Sequence, residues 1–277
     1  MRTRSMLFGP ANRADFVAKF VACGADIGVL DLEDAVAESG KQTARDVIAD
    51  ARPGTGDLGE MALFVRVNGL DTPHFASDMT AAAASGASGI IVPKLEDAAG
   101  VAAVRSAMTD LGIKTLCAGV ESALGVQRAV EVAAAGVEML YFGAEDFITD
   151  MGGVRTEGND EVLYARSHVA LAARLAGVPA LDQVVIDYSD DARFNREAER
   201  ARSLGYSGKL CIHPNQVTLA NAVFTPSEDE VAWARGVLAA AEKAAAEGAG
   251  VISYEGTMVD APILVRAQAL LDRAGAS

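Results

Sequence analysis

Residues 27–34 read IGVLDLED, an aliphatic run, IGVLDL, that finishes in the adjacent carboxylates Glu33 and Asp34. The run is close to continuously apolar rather than alternating, which is the pattern of a parallel strand covered by helices on both faces. Apolar residues at helical spacing precede it over Asp15–Cys23, where Gly24 acts as a stop, and a helix-like segment follows over 40–50. The stretch is therefore one strand of a strand–helix repeat, with acids where the strand hands over to the next helix.

The same unit recurs along the chain. Apolar runs over 5–10, 27–33, 62–68, 89–94, 114–122, 137–146, 179–187 and 208–214 are each followed by a helical pattern, most of them ended by glycine. Eight such units in a chain of 277 residues predict an α/β fold of the TIM (β/α)8 barrel type over residues 1–224, in preference to an open doubly wound sheet. No G-x-G-x-x-G follows any run, which argues against dinucleotide binding. Residues 225–277 break the pattern: a long helix with Ser227 as N-cap and Glu228, Asp229 and Glu230 in its first turn, a short extended piece, a turn and a last helix. That extension is expected to cover the barrel mouth as a lid or to exchange with a neighbouring subunit.

Apolar residues make up 51% of the chain and charged residues 22%, the composition of a soluble globular protein. The net charge of −14 and the scatter of Lys and Arg argue against nucleic acid as a partner. No apolar run is long enough for a bilayer, and Pro10 and Asn12 come too early for a signal peptide, so the expected location is the cytoplasm, away from any membrane. Cys23, Cys117 and Cys211 have no metal-type spacing and read as three buried thiols.

In a barrel of this kind the active site lies at the carboxyl ends of the strands. The runs carry there Glu33 and Asp34, Arg66 and Asn68, Lys94, Glu121 and Ser122, Glu145 and Asp146, and His213. Taken singly, each has an ordinary structural reading: Lys94 pairs with a rim acid, Glu145 meets solvent, His213 serves the turn fixed by Pro214. Taken together, several acids and few bases on one rim repel one another unless a cation sits between them. Oxygen ligands alone, without a Cys or His pair, suit Mg²⁺ or Mn²⁺ rather than Zn²⁺. Glu121 and Asp146 end neighbouring runs and form the best-placed pair, and Arg66 is placed to fork onto a substrate carboxylate or oxyanion.

The chain resembles the citrate lyase beta-subunit-like enzymes of the HpcH/HpaI aldolase/citrate lyase superfamily. The resemblance rests on RSMLFGPANR, GADIGVLDLEDAVAESGKQTAR, VRVNGLDT, VPKLE, VESALGV, FGAEDF, GKLCIHPNQV, VFTPSEDEVAWAR and EGTMVDAP, which run nearly end to end. LFGPANR and VRVNGLDT look most like the malyl-CoA lyase branch, whereas the compact length and GAEDF look more like stand-alone citrate-lyase-like members. The resemblance implies Mg²⁺ on Glu121 and Asp146, and Arg66 on the oxo-acid unit. It implies coenzyme A across the mouth along Phe8, Gly9, Arg13, Lys19, Ile212 and His213. Glu33 and Asp34 become inner acids that order the metal's waters and Arg66, with Glu33 and Glu121 near the substrate and Asp34 near the chemistry. Asp260, before Ala261-Pro262, matches the family's catalytic acid/base supplied from an adjacent subunit, although alone it reads as an N-cap.

The implied activity is reversible carbon–carbon cleavage of a 3-hydroxyacyl-CoA such as malyl-CoA, methylmalyl-CoA or citramalyl-CoA. The products are an oxo acid, glyoxylate or pyruvate, and an acyl-CoA. Two alternatives stand beside it: a malyl-CoA thioesterase in the same cleft, and a citrate lyase beta subunit acting on an acyl group held by a carrier protein. The family also implies a homotrimer or hexamer.

Overall fold

The structure is a computed structural model that describes residues 1–13, 15–50, 58–247 and 251–275. Eight parallel strands close into a barrel in sequence order: β1 (Ser5–Pro10), β2 (Ile27–Asp31), β3 (Ala62–Arg66), β4 (Gly89–Val92), β5 (Thr115–Val120), β6 (Met139–Phe142), β7 (Ala180–Asp182) and β8 (Gly208–Cys211). β8 pairs back onto β1, with Leu210 opposite Met6, so no strand edge is left open within the barrel. The TIM barrel expected from the repeat is the fold observed.

The helices of this unit are α1 (Phe16–Ala22), α2 (Lys41–Asp50), α3 (Phe75–Ser85), α4 (Ala98–Leu111), α5 (Ala123–Gln127), α6 (Ala129–Ala134), α7 (Ala144–Met151), α8 (Leu163–Ala176), α9 (Asp191–Leu204) and α10 (Pro214–Phe224). α4 shows why such segments are helical. Asp97 caps it by accepting from Gly100 N at 2.8 Å, and Val101, Val104 and Met108 bury one stripe. α3, α4, α8 and α9 each end on a glycine in the left-handed region, as the glycine punctuation predicts.

Side chains alternate across each strand, and the inward set fills the barrel. Met6, Ile27, Val29, Ala62, Phe64, Ile91, Cys117, Met139, Tyr141, Leu181 and Leu210 form one buried cluster, with Phe8 and Val184 packed against it. The same alternation carries polar residues into the top layer: Ile27–Val29–Asp31, Ala62–Phe64–Arg66 and Cys117–Gly119–Glu121 each continue an inward row. Asp31 and Arg66 stand directly opposite in register.

Four expectations shift. Glu145 and Asp146 do not end a strand. β6 stops at Phe142 and both acids lie in the first turn of α7, where the helix dipole favours them. β2 ends at Asp31, so Glu33 and Asp34 belong to the loop beyond it. β7 is only three residues long, much shorter than the apolar run 179–187. Cys23 is half-buried at the end of α1, where its thiol donates to Phe20 O, while Cys117 and Cys211 are buried; all three are free thiols.

The chain divides into two compact units, Met1–Ala222 and Val223–Ser277. The second is built from α11 (Glu228–Ala246), a hairpin of β9 (Ile252–Tyr254) and β10 (Thr257–Val259), and α12 (Ala261–Ala274). Ser227 and Glu230 form a reciprocal capping box at the start of α11. Its own core gathers Ala234, Val237, Val259, Ala267, Leu270 and Leu271. Among the described residues no helix is long and apolar enough to cross a membrane.

Candidate active site

The carboxyl end of the barrel opens into a cavity of about 400 Å³ whose walls include Phe8, Asp31, Asp34, Arg66, Glu121, Tyr141 and Asp146. Its charged lining falls into two groups. One centres on Arg66. Its Nε donates to Asp31 Oδ1 at 2.7 Å and its Nη2 to Asp31 Oδ2 at 2.6 Å, a two-point clamp across the β2–β3 ladder. Phe8 lies under the guanidinium, 5.1 Å from ring centroid to Cζ. Glu33 Oε2 sits 2.9 Å from Nη1 without hydrogen-bond geometry, and Asp34 Oδ2 is 3.6 Å from Nη2 on an exposed side chain. The edge expected to fork onto a substrate is thus already used by Asp31, and Nη1 is the edge that remains.

The second group centres on Glu121, which is 3% exposed at the end of β5. Oε1 accepts from the Lys94 backbone N–H at 3.1 Å and Oε2 from the Tyr141 hydroxyl at 2.8 Å. Two glycines make room for this arrangement. A Cβ on Gly143 would lie 2.7 Å from Glu121 Cβ, and one on Gly119 would lie 2.7 Å from Tyr141 Cζ. Lys94 follows Pro93 with φ at 52°, a left-handed conformation that costs a non-glycine residue roughly 1 kcal/mol. That backbone aims its N–H at Glu121 while its ammonium lies 3.0 Å from Asp146 Oδ1 on α7.

Five acids against two bases leave their mark on proton affinity. Burial pushes the Glu33 carboxyl up to about 8; Arg66 opposes this, and Asp34, Glu121 and Asp31 add to it. Burial likewise raises Glu121 to about 7, with the Asp146 charge adding to it and the Tyr141 hydrogen bond opposing. The Arg66 guanidinium is buried at a cost to its charge, yet the Asp31 hydrogen bonds and charge hold its pKa well above the ordinary value. Tyr141 is raised by burial and by Glu121, so it remains a hydroxyl donor.

The donor set suits one hard divalent cation. Glu121 and Asp146 are oxygen donors that line the same cavity, the Asp146 charge disfavours ionisation of Glu121, and Gly143 leaves room for the Glu121 side chain. No group of three or more His, Cys, Asp or Glu side chains suited to a metal occurs among the described residues, and a hard divalent ion commonly takes only one or two protein carboxylates.

The remaining expected residues are spread more widely. Phe8, Gly9 and Ile212 line the cavity. Arg13 and Lys19 sit outside it, both paired to Asp15, at 2.8 and 2.7 Å, and both over the Phe16 ring. His213 is exposed and stacks on Tyr188 at 5.1 Å. Asp260 is the N-cap of α12, accepting from Ile263 N, with Pro262 in the first turn. Asn68 is not at the mouth surface: it is buried, donating to Asp78 and Leu32 O and accepting from Lys41 Nζ. Glu145 pairs with Arg155 at 2.9 Å.

Sequence reasoning missed Asp31 and Tyr141. The signal existed, since strict alternation from Ile27 and from Met139 points both into the barrel. Asp31 was hidden inside an apolar run, and Tyr141 read as one more large apolar residue.

The site can be set beside known proteins. A model of the family described as HpcH/HpaI aldolase/citrate lyase matches residues 4–214. A citrate lyase subunit beta-like protein of Deinococcus radiodurans is 48% identical, with 97% of this chain and 96% of that protein aligned. An L-malyl-CoA/beta-methylmalyl-CoA lyase of Rhodobacter capsulatus is 38% identical, covering 98% and 94%. The crystal structure of the protein CitE from Mycobacterium tuberculosis, in complex with magnesium, acetoacetate and coenzyme A, matches with a TM-score of 0.82 at 36% identity over 98% of this chain and 97% of that one. The match runs through every strand that supplies a side chain to the mouth, and so this chain belongs to the HpcH/HpaI aldolase/citrate lyase family.

Proposed function

We propose that the protein is a magnesium-dependent lyase that cleaves or forms the carbon–carbon bond of a 3-hydroxyacyl-CoA, giving an oxo acid and an acyl-CoA. The observation that carries this reading is the pairing, in one cavity, of two mutually repelling carboxylates, Glu121 and Asp146, with a clamped arginine, Arg66. Support comes from the relative named as a malyl-CoA/methylmalyl-CoA lyase and from the similar structure that contains magnesium, acetoacetate and coenzyme A.

Glu121 and Asp146 would hold the magnesium ion, which supplies a Lewis acid for the oxo-acid end of the substrate. Arg66, fixed by Asp31 and Phe8, turns Nη1 toward the oxygen on which charge gathers during cleavage. Glu33, which lies 2.9 Å from Nη1, has its carboxyl raised to about 8 and so neutralises that edge less than an ordinary carboxylate would. In cleavage the hydroxyl proton passes to the acids of the mouth, the bond breaks, and its electron pair moves to the acyl α-carbon. Asp260, supplied from an adjacent subunit of a homotrimer or hexamer, delivers a proton there; in condensation it removes one. Phe8, Gly9 and Ile212 seat the thioester end of coenzyme A, with Arg13, Lys19 and His213 along its length.

A second reading is a citrate lyase beta subunit whose acyl group is carried by a partner protein, favoured by the name of the Deinococcus relative. Purified protein with Mg²⁺ and malyl-CoA, methylmalyl-CoA or citramalyl-CoA separates the two. Oxo acid appearing with intact acyl-CoA supports the lyase. Free CoA without oxo acid, or no product from any of the three, defeats it.

A further inference from the structure

Lys94 touches both carboxylates of the proposed cation site by different parts of one residue. Its backbone N–H donates to Glu121 Oε1 at 3.1 Å, and its ammonium lies 3.0 Å from Asp146 Oδ1. The left-handed backbone, φ 52°, is what allows the main chain to face β5 while the side chain reaches α7. The two contacts differ in permanence. Both oxygens of Glu121 are engaged by rigid donors, the Lys94 backbone and the buried Tyr141 hydroxyl. The ammonium instead rides on a flexible stem, its side chain half exposed, against a carboxylate that is itself 36% exposed.

We propose that Lys94 is a displaceable counter-ion: its ammonium holds Asp146 when no divalent cation is bound and lets go when one binds. The proposal rests on the reading that Glu121 and Asp146 hold that cation. Charge makes the exchange necessary. A divalent ion on Asp146 and an ammonium within hydrogen-bond reach of the same carboxylate repel each other, and the half-exposed pair is weak enough to be given up. The tether keeps Asp146 neutralised and oriented in the empty mouth, which already holds an excess of acid. It also makes Lys94 a positioning residue, since it acts through Asp146.

The test is Mn²⁺ binding to the intact protein, read from the electron paramagnetic resonance of free Mn²⁺ at fixed pH and ionic strength. Lys94→Gln keeps the chain length and the backbone donor but removes the charge. It is expected to bind Mn²⁺ about fivefold more tightly than the wild type, the size of a half-exposed ion pair. Lys94→Arg, which keeps the charge, is expected to stay within about twofold of wild type. Unchanged or weaker binding by a folded Lys94→Gln protein overturns the proposal, while the metal reading stands. Mn²⁺ binding to none of the three proteins removes the metal reading and this proposal with it. The wild type gives a second reading that needs no variant: amine acetylation followed by mass spectrometry. Saturating Mg²⁺ is expected to speed labelling of Lys94 and leave Lys114 unchanged, and a slowed or constant Lys94 rate overturns the exchange.

Discussion

Between β7, β8, α8 and α9, every buried acid is paired with cations, three bases to two acids. Lys209 Nζ donates to Asp182 at 2.6 Å and to Gln183 O at 2.8 Å, Arg166 clamps Asp182 with two bonds of 2.9 Å, and Glu197 takes Arg193 at 2.9 Å. At the barrel mouth, Arg66 and Lys94 face Asp31, Glu33, Asp34, Glu121 and Asp146. Burial opposes ionisation of acids in both places, but the outcome differs. Glu197 ends below its ordinary value because Lys209, Arg193 and Gln183 outweigh burial, whereas Glu33 and Glu121 rise to about 8 and about 7. A cluster that satisfies its own charges serves the fold. A cluster left with surplus acid stores affinity for something cationic.

The largest effect that would break this comparison lies in the cluster whose acids are all paired. Lys209→Met leaves Asp182 and Glu197 without their shared cation and is expected to cost about 3–5 kcal/mol in chemical denaturation. A loss under about 1 kcal/mol would mean that the cluster is not what holds β7 and β8 to their helices. At the mouth, Glu121→Gln is expected to lower turnover by about 10²–10³ while leaving the melting temperature level or higher, because it removes surplus charge. A clear loss of stability would place Glu121 among the structural acids. Gly143→Ala forces a methyl against Glu121 and is expected to cost about 1–3 kcal/mol, with weakened Mg²⁺ binding in calorimetry. Unchanged binding there would show that the carboxylate has room to shift.

The smallest effect is a pH dependence whose sign follows from the raised values. Glu33 and Glu121 hold protons in the folded chain that they lose near pH 4.5 when unfolded, so the folded state binds more protons between pH 4.5 and about 8. Their contribution to stability is fully present below pH 4.5 and is lost as pH rises through about 7 and about 8. The metal-free protein is expected to melt at lower temperature at pH 8 than at pH 6, with Glu33→Gln flattening the slope. Mg²⁺ should restore more stability at the higher pH, since it competes with the proton on Glu121. A melting temperature that rises over this range would contradict the raised values.

Much of the mouth is legible in the sequence. Arg66 ends β3, and Glu121, Lys94 and His213 lie one or two residues beyond β5, β4 and β8, so the residues read as the ends of these four apolar runs fall within two positions of the strand ends. Glu145 and Asp146 read from sequence as the end of a strand but lie in the first turn of α7, since an amphipathic helix of eight residues directly after β6 merges with the run before it. Glu33 and Asp34 drew the attention that Asp31 deserved. A carboxylate within an apolar run looks like an interruption until the alternation of the strand is followed inward.

The sequence by itself determined the barrel, its glycine-ended helices and the separate capping-box helix at Ser227, because periodicity, caps and turns are local properties of neighbouring residues. Only the tertiary structure decided who holds whom. That Arg66 spends its fork on Asp31, that Tyr141 and the Lys94 backbone share Glu121, and that Lys209 balances Asp182 all join residues 20 or more positions apart. Such pairings depend on strand register and on which helix covers which strand, and those are fixed when the barrel closes.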